Sequence, residues 1–300
     1  MRLASYRADG AIRAGVIHGD EVADVADLLG ADLDVLGVIA AGPEVWGRLA
    51  RAPGTRLRPL TGVELLAPIA RPRRNVFCVG WNYLAHFVEG KELRGASAPA
   101  ELPAAPAFFS KNPRTVVGPD APVWHPAPHS QQLDWEVELA VVIGRGGRDI
   151  AEAGALGHVF GYTVANDVSV RDVQRERHGG QWFKGKNFDT HLPLGPWIVT
   201  ADEIPDPQRL RITSRVNGVT KQDSDTRHMA FPVSRIVAEL SRGLELEPGD
   251  VIITGTPEGV GFARKPPEFL AVGDVMEMEI GEIGTLRNPV MAAPPPAAAR

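Results

Sequence analysis

Three carboxylates set the chemistry that this sequence can be expected to do. In Asp134-Trp135-Glu136-Val137-Glu138-Leu139, side chains two residues apart share one face of a strand, so Glu136 and Glu138 point the same way. Like charges held that close repel unless a cation or a proton compensates. The apolar run Leu139 to Ile143 that follows puts the pair at the mouth of a core. Taken alone, a Glu-x-Glu reads equally well as a solvated acidic strand face. A third carboxylate, Asp167, follows the strand-like Gly161 to Ala165 in Asn166-Asp167-Val168-Ser169, where Asn-Asp by itself would be a turn. Three oxygen ligands with no neighbouring Cys or His predict a hard ion, Mg²⁺ or Mn²⁺ with Ca²⁺ as a further option, over Zn²⁺. Asp134 shares the same face and would support the three ligands from behind.

Other groups have the types needed to work beside such an ion. His86 and Glu89 stand three apart in Gly80-Trp81-Asn82-Tyr83-Leu84-Ala85-His86-Phe87-Val88-Glu89, which makes them neighbours on a short helix. A His–Glu dyad can take a proton from water; in isolation the same pair is a surface contact or a satisfied core histidine. Residues 91–107, rich in Ala, Pro and Gly, would let the dyad move as a lid. Arg171 comes four residues after Asp167, so one helical turn would carry it over the metal to hold an anionic group. Lys186, in Gly185-Lys186-Asn187-Phe188-Asp189, could stabilise developing enolate charge. Finally, Val251 to Thr254 runs into the loop Gly255-Thr256-Pro257-Glu258-Gly259-Val260-Gly261, whose backbone N–H groups and hydroxyls can cradle a carboxylate. The Gly-Lys-Ser/Thr ending of a phosphate-binding loop is missing.

Positioning these groups falls mainly to strands. Strand-like runs cover Val76–Val79, Ala107–Ser110, Trp135–Ile143, Gly161–Ala165, Trp197–Thr200, Leu210–Val216, Val251–Thr254 and Val275–Ile280; helical patterning is confined to pieces such as Val170–Arg177 and Val233–Ser241. Strand–helix alternation of the doubly wound kind is missing, so a curved, mainly β (α+β) architecture is expected. Leu3 to Val16 and Glu21 to Val25 read as short strands, followed by a mixed segment. The Pro/Arg-rich stretch Ala67 to Arg74 marks a boundary, giving a small N-terminal domain at 1–68 and a larger one at 69–290. Residues 291–300, nearly all Ala and Pro, read as a disordered tail.

Composition narrows the partners. The formal charge of −5 comes without basic runs, so the positive stripe that nucleic acid requires is missing. Cys78, the single cysteine, sits in an apolar run and reads as a small buried hydrophobe in a reducing compartment. Without a leader-like or membrane-spanning apolar stretch, a cytoplasmic location and no membrane partner are expected.

Taken in order, these segments resemble the fumarylacetoacetate hydrolase family, in its compact branch of acylpyruvate hydrolases, oxaloacetate decarboxylases and 2-hydroxyhepta-2,4-diene-1,7-dioate isomerases. The resemblance runs through Gly80-Trp81-Asn82-Tyr83, His86, Glu89, Phe109-Ser110-Lys111, Glu136-Val137-Glu138-Leu139, Gly161-Tyr162, Asn166-Asp167, Arg171-Asp172-Val173-Gln174, Lys186-Asn187-Phe188-Asp189, Pro193-Leu194-Gly195-Pro196 and Thr254-Gly255-Thr256-Pro257. It covers about residues 70 to 290, and chance agreement over so many spaced motifs is improbable. It implies a β-roll catalytic domain, commonly a homodimer, with Mg²⁺ or Mn²⁺ on Glu136, Glu138 and Asp167. It further implies that the 2-oxo acid end of a substrate chelates the metal, aided by Arg171, Gln174, Lys186 and the Thr256 loop, while His86 and Glu89 activate water. Three features depart from the family pattern: Asn187 replaces a Ser or Thr, Trp81 replaces a smaller or basic residue, and Gln181-Trp182-Phe183 precedes Lys186. With Phe87, these aromatic residues suggest a pocket for a bulkier or more apolar tail than a bare diacid offers.

The expected reaction is hydrolysis of a C–C bond in a 2,4-diketo acid of the acylpyruvate or fumarylpyruvate type, through a metal-stabilised enolate. Oxaloacetate decarboxylation and diene-dioate isomerisation in aromatic catabolism use the same enolate and stand as alternatives. Outside enzymes, the alternative is a module that binds a carboxylate ligand through its metal.

Overall fold

A nearly continuous apolar run explains the strand that carries the site. Every residue of Val137–Ile143 is buried. Val137, Leu139, Val141 and Ile143 enter one core, while Ala140 and Val142 enter a second on the opposite face, as a period of two requires. Glu136 and Glu138 continue the Ala140/Val142 face. A strand buried on both sides needs cover on both, and two parts of the chain supply it.

The computed structural model describes residues 1–91 and 99–295. Its twelve-stranded sheet places Ala107–Lys111, Val76–Gly80, Val251–Ile253, Val137–Ile143, Val159–Asn166, Leu192–Thr200 and Arg2–Ala8 side by side in that order. On one face lies a five-stranded sheet of Val219–Asp225, Arg211–Val216, Val275–Ile280, Gly284–Ala292 and Val123–His125, whose Ile212, Met276, Met278 and Leu286 complete the first core. On the other face, the helices Val35–Ala40 and Pro43–Arg51 bring Val35, Val38, Ile39 and Leu49 into the second. The mainly β, α+β architecture is therefore the one the strand-rich pattern predicts.

Residues 1–66 share the large sheet with the rest of the chain, because Arg2 and Leu3 pair with Val199 and Ile198. Ala67 to Arg74 link the strand Glu64–Leu66 to Val76–Gly80. Besides several strands of two or three residues, two long ones escape the sequence pattern. Val219–Asp225 is an edge strand whose one fully buried side chain is the polar Gln222, so it has no apolar alternation to read. Gly284–Ala292 contains Pro289 and the buried Asn288, both of which weaken a strand signal. This last strand runs two residues into the expected tail, pairing Met291 and Ala292 with Trp124 and His125; residues 296–300 lie outside the described residues. No helix among the described residues is long and apolar enough to cross a membrane.

Candidate metal and substrate site

The carboxylates meet where a strand ladder opens. Leu133–Asp134 pairs with Ser169–Val170, and Val137–Ile143 pairs with Val159–Asn166, with Val137 opposite Asn166. Between these stretches one backbone bond remains, from Asp167 N–H to the Glu136 carbonyl at 2.9 Å. Glu136 and Asp167 are therefore cross-strand neighbours, and Glu138 joins them along its own strand. One oxygen from each lies within 4.8 Å of the others, and the three residues are 4%, 1% and 0% exposed. The Asn166 side chain fixes the opening by accepting the Glu136 N–H at 3.0 Å.

Three buried cations surround the acids. Lys186 Nζ donates to Glu136 Oε2 and Asp167 Oδ2, both at 2.7 Å. Lys111 Nζ donates to Asp167 Oδ1 at 2.8 Å and to the Val168 carbonyl at 3.1 Å. Arg171 Nε donates to Asp134 Oδ2 at 2.7 Å, while Nη1 reaches Glu136 Oε1 at 2.6 Å and Gln174 Oε1 at 3.1 Å. The helical turn expected between Asp167 and Arg171 is not formed. Ser169–Val170 is extended and the helix begins at Arg171, so Arg171 reaches Asp134 and Glu136 instead. Its Nη2 is buried and has no hydrogen-bond partner among the described residues.

The charges do not balance within this cluster. Four buried carboxylates, Asp134, Glu136, Glu138 and Asp167, face three buried cations, Lys111, Arg171 and Lys186. Burial works against ionisation of Glu136, yet Lys186 and Arg171 outweigh it and hold that carboxyl at about 2. Burial likewise opposes the Lys186 charge, and Asp167 and Glu136 overcome it, keeping the ammonium above its ordinary value. Burial brings Lys111 down despite Asp167. The surplus falls on Glu138, pushed well up by burial and then by Asp167 and Glu136. A divalent cation held by oxygens of Glu136, Glu138 and Asp167 would remove that repulsion, and an all-oxygen set suits Mg²⁺ or Mn²⁺. The residues fit the ion.

The glycine-rich loop ties the remaining groups to this centre. Gly255 has φ +94°, a conformation that L side chains rarely adopt, and the turn delivers its N–H to Glu138 Oε2 at 2.7 Å. The Thr256 hydroxyl accepts from Gln222 Nε2 at 2.7 Å, which leaves its proton to be donated elsewhere. Further along, Gly259 N–H donates to Glu89 Oε2 at 2.8 Å. Glu89 and His86 share the helix Leu84–Glu89, with His86 Nδ1 2.7 Å from Glu89 Oε1. A proton on Nδ1 directed at the carboxylate leaves the Nε2 lone pair available. The mobility expected of 91–107 falls largely on residues 92–98, which lie outside the described residues.

A cavity of about 540 Å³ collects these groups, with His86, Glu136, Glu138, Arg171, Lys186 and Thr256 in its wall. Gln174, Trp81, Trp182 and Phe183 also line it. Phe87 does not. It is buried and meets the Trp81 ring edge-on at 6.1 Å. Asn187 also stays out of the wall: it accepts the Asn112 N–H at 2.5 Å and donates to the Ser110 and Phe183 carbonyls at 3.1 and 2.7 Å. An amide can bridge three partners where a hydroxyl would leave one unmet. Lys111 and Gln222 received no role from sequence. Lys111 sits within the quoted Phe109-Ser110-Lys111 motif, but full burial of a lysine is invisible without the fold, and Gln222 lies on a polar edge strand with no signal at all.

Comparison with known proteins follows the same outline. Residues 75–291 match the family described as fumarylacetoacetate (FAA) hydrolase C-terminal. The chain is 46% identical over 244 residues to the mitochondrial oxaloacetate tautomerase FAHD2A of Homo sapiens, covering 81% of this chain and 74% of that protein. It is 43% identical over 238 residues to oxaloacetate tautomerase YisK of Bacillus subtilis, covering 79% and 76% respectively. Among solved structures, a fumarylacetoacetate hydrolase from Exiguobacterium antarcticum superposes with a TM-score of 0.84 at 42% identity, covering 98% of this chain and all of that one. A maleylpyruvate hydrolase from Sphingobium sp. SYK-6, solved with manganese(II) and pyruvate, gives a TM-score of 0.80 at 32% identity over 98% of this chain and all of that one. With residues 75–291 matched by the family and relatives 46% and 43% identical over 74% and 76% of their own length, this chain belongs to the fumarylacetoacetate hydrolase family.

Proposed function

We propose that this chain is a divalent-metal-dependent enzyme that interconverts the keto and enol forms of a small 2-oxo acid of the oxaloacetate kind. The observation that carries the reading is one cavity wall in which His86, backed by Glu89, stands with Glu136, Glu138, Lys186 and Arg171, whose Nη2 has no hydrogen-bond partner among the described residues, while Asp167 completes the acidic cluster just behind that wall. The relatives named oxaloacetate tautomerase support the substrate class.

When bound, Mg²⁺ or Mn²⁺ supplies a Lewis acid for the 2-oxo carbonyl. Arg171 Nη2 and the Thr256 hydroxyl donate to the substrate carboxylate, with Gln174 holding the guanidinium in place. His86 Nε2 takes a proton from C3. The C–H electron pair becomes the C2–C3 double bond as the carbonyl pair moves onto oxygen, where Lys186 faces the developing negative charge. Return of the proton to that oxygen completes the enol, and the reverse sequence regenerates the ketone. Glu89 keeps the imidazole in the required tautomer and stabilises its protonated form.

Hydrolysis of a 2,4-diketo acid is the second reading, favoured by the hydrogen-bonded dyad and by the likeness to a maleylpyruvate hydrolase. Here His86 takes a proton from water, hydroxide adds to the C4 carbonyl, and the C3–C4 bond breaks with its electron pair left on C3. The test uses chelator-stripped full-length protein with and without Mn²⁺, assayed on enol-oxaloacetate and on acetylpyruvate, beside His86→Gln. Mn²⁺-dependent loss of enol absorbance without release of CO₂ or pyruvate, weakened in His86→Gln, supports tautomerisation. Equimolar pyruvate and acetate from acetylpyruvate move the assignment to hydrolysis, CO₂ from oxaloacetate moves it to decarboxylation, and no turnover of either compound sinks all three.

A further inference from the structure

We infer that the outer half of the cavity is a subsite for a flat apolar tail, so that, beside small 2-oxo acids, the site also takes 2-oxo acids with an aryl or similarly large planar group remote from the carboxylate, and binds them more tightly than unbranched aliphatic ones. This inference rests on the reading above for where the carboxylate end binds, and concerns the opposite end of the substrate.

Size is the first observation. A cavity of about 540 Å³ falls in the range that holds drug-sized ligands of roughly 300–1,000 Å³, far more room than a four-carbon diacid fills. The second is the division of its wall. The acids, Arg171, Lys186 and Thr256 are all nearly inaccessible, whereas Phe108 and Phe183 are 39% and 49% exposed. Large aromatic surfaces left partly in water at the rim of a cavity gain by being covered.

The third observation is how the aromatic residues are held. Trp182 meets Trp81 edge-on at 4.7 Å and Phe109 edge-on at 5.4 Å. Its ring lies directly on Gly80, where a Cβ would come within 2.3 Å of the indole, so a side chain at that position would displace it. Trp81 has φ +57°, a strained backbone conformation for a bulky residue and one that persists only where surrounding structure over-determines it. An edge-to-face cluster of this kind offers faces and edges to one more planar ring. Of the aromatic residues expected from sequence to shape a tail pocket, Phe87 supports this cluster from behind, while Phe109 joins it through Trp182 and Phe108 lines the cavity beside it.

Binding, not turnover, tests the subsite. Affinities of 2-oxobutanoate, 4-phenyl-2-oxobutanoate and 2-oxoglutarate are measured by calorimetry on the Mn²⁺-loaded full chain, on Phe183→Ala and on Trp182→Ala. The phenyl compound should bind about tenfold or more tighter than 2-oxobutanoate, as burial of a ring predicts, and the ratio should fall below about threefold in both variants. Phe183 is half exposed, so its removal should leave the fold intact if Trp182→Ala does not fold. A wild-type ratio near one, a ratio that survives Phe183→Ala, or an equal gain for 2-oxoglutarate overturns the apolar subsite. Failure of 2-oxobutanoate itself to bind in a Mn²⁺-dependent way marks instead the failure of the carboxylate-end reading, and takes this inference with it.

Discussion

Glu138 and Asp250 are both buried carboxylates beside the same central strand pair, and they are treated in opposite ways. Asp250 accepts Arg74 Nε at 2.7 Å through Oδ1, and Arg74 Nη2 together with the Glu247 N–H, the latter at 2.7 Å, through Oδ2. Its hydrogen bond to Arg74 raises the guanidinium above its ordinary value. Every part of that carboxylate is matched locally, and what it does is anchor the loop before Val251–Ile253. Glu138 accepts one backbone N–H from Gly255 and otherwise faces Asp167 and Glu136, which with burial drive its carboxyl well up. A matched buried charge fixes the chain. A buried charge crowded by its own sign calls for something from outside the chain, and that separates an anchor from a ligand.

The comparison is broken most directly at Glu138. Glu138→Gln should lower metal-dependent turnover by about 10³ or more, roughly 4 kcal/mol in the barrier. Mn²⁺ at a hundred times its Kd should stabilise the wild type by about 2.7 kcal/mol in urea titrations, and this gain should vanish in the variant. The same substitution should leave the chelator-treated protein as stable as wild type or more so, since it removes the repelled charge. Retention of the Mn²⁺ gain in Glu138→Gln would remove the surplus-charge account. Asp250→Asn should do the converse, costing about 2 kcal/mol of stability, less than a fully buried pair would because Arg74 is partly exposed; its Mn²⁺ affinity should stay within twofold. If Asp250→Asn loses the metal instead, the two carboxylates do not differ as stated.

His191 sharpens the contrast from a third side, as a buried group that stays neutral. Its Nε2 faces the Trp124 carbonyl at 2.9 Å, and its Nδ1 has no hydrogen-bond partner among the described residues. Burial above all, helped by Lys111, His125 and Lys184 against the Trp124 hydrogen bond, pushes it down to about 3. The unfolded chain therefore binds this proton first as pH falls through 6.5, and the stability contributed by the neutral ring is full above that pH and lost below it. Between pH 6.5 and 5.5 the wild type should lose roughly 1 kcal/mol more than His191→Gln, read from urea midpoints at each pH. Parallel pH profiles for the two proteins would show that the ring is not kept neutral in the fold.

Much of this was legible in the chain. The strand Val275–Ile280 and the helix Val233–Ser241 follow from runs whose periods of 2 and 3.6 are unbroken, and the strand Val137–Ile143 from a nearly continuous apolar run. The acidic trio was legible because two of its members share one strand face. Arg171 was assigned to the site by a helical turn that does not exist, and it arrives there because the ladder at Ser169–Val170 aims the next residue inward. The helices of the mixed segment, among them Val25–Leu29, Val35–Ala40 and Pro43–Arg51, carry local signals, with Asp24 and Asp34 capping the first two and Pro43 opening the third, but each is too short for its period to stand out from the turns around it.

By itself the sequence determined residue types and local periods: which strands could form, which carboxylates could share a face, and that oxygen ligands alone were on offer. Those follow from backbone geometry over a few residues. The tertiary structure decided the count of charges inside the cluster, the burial of Lys111 and Gln222, and the split of the cavity into a charged floor and an aromatic rim. Such properties depend on residues more than fifty positions apart, as with Lys111 and Asp167 or Gln222 and Val137, and burial alone turns their ordinary side-chain chemistry into forces strong enough to define a site.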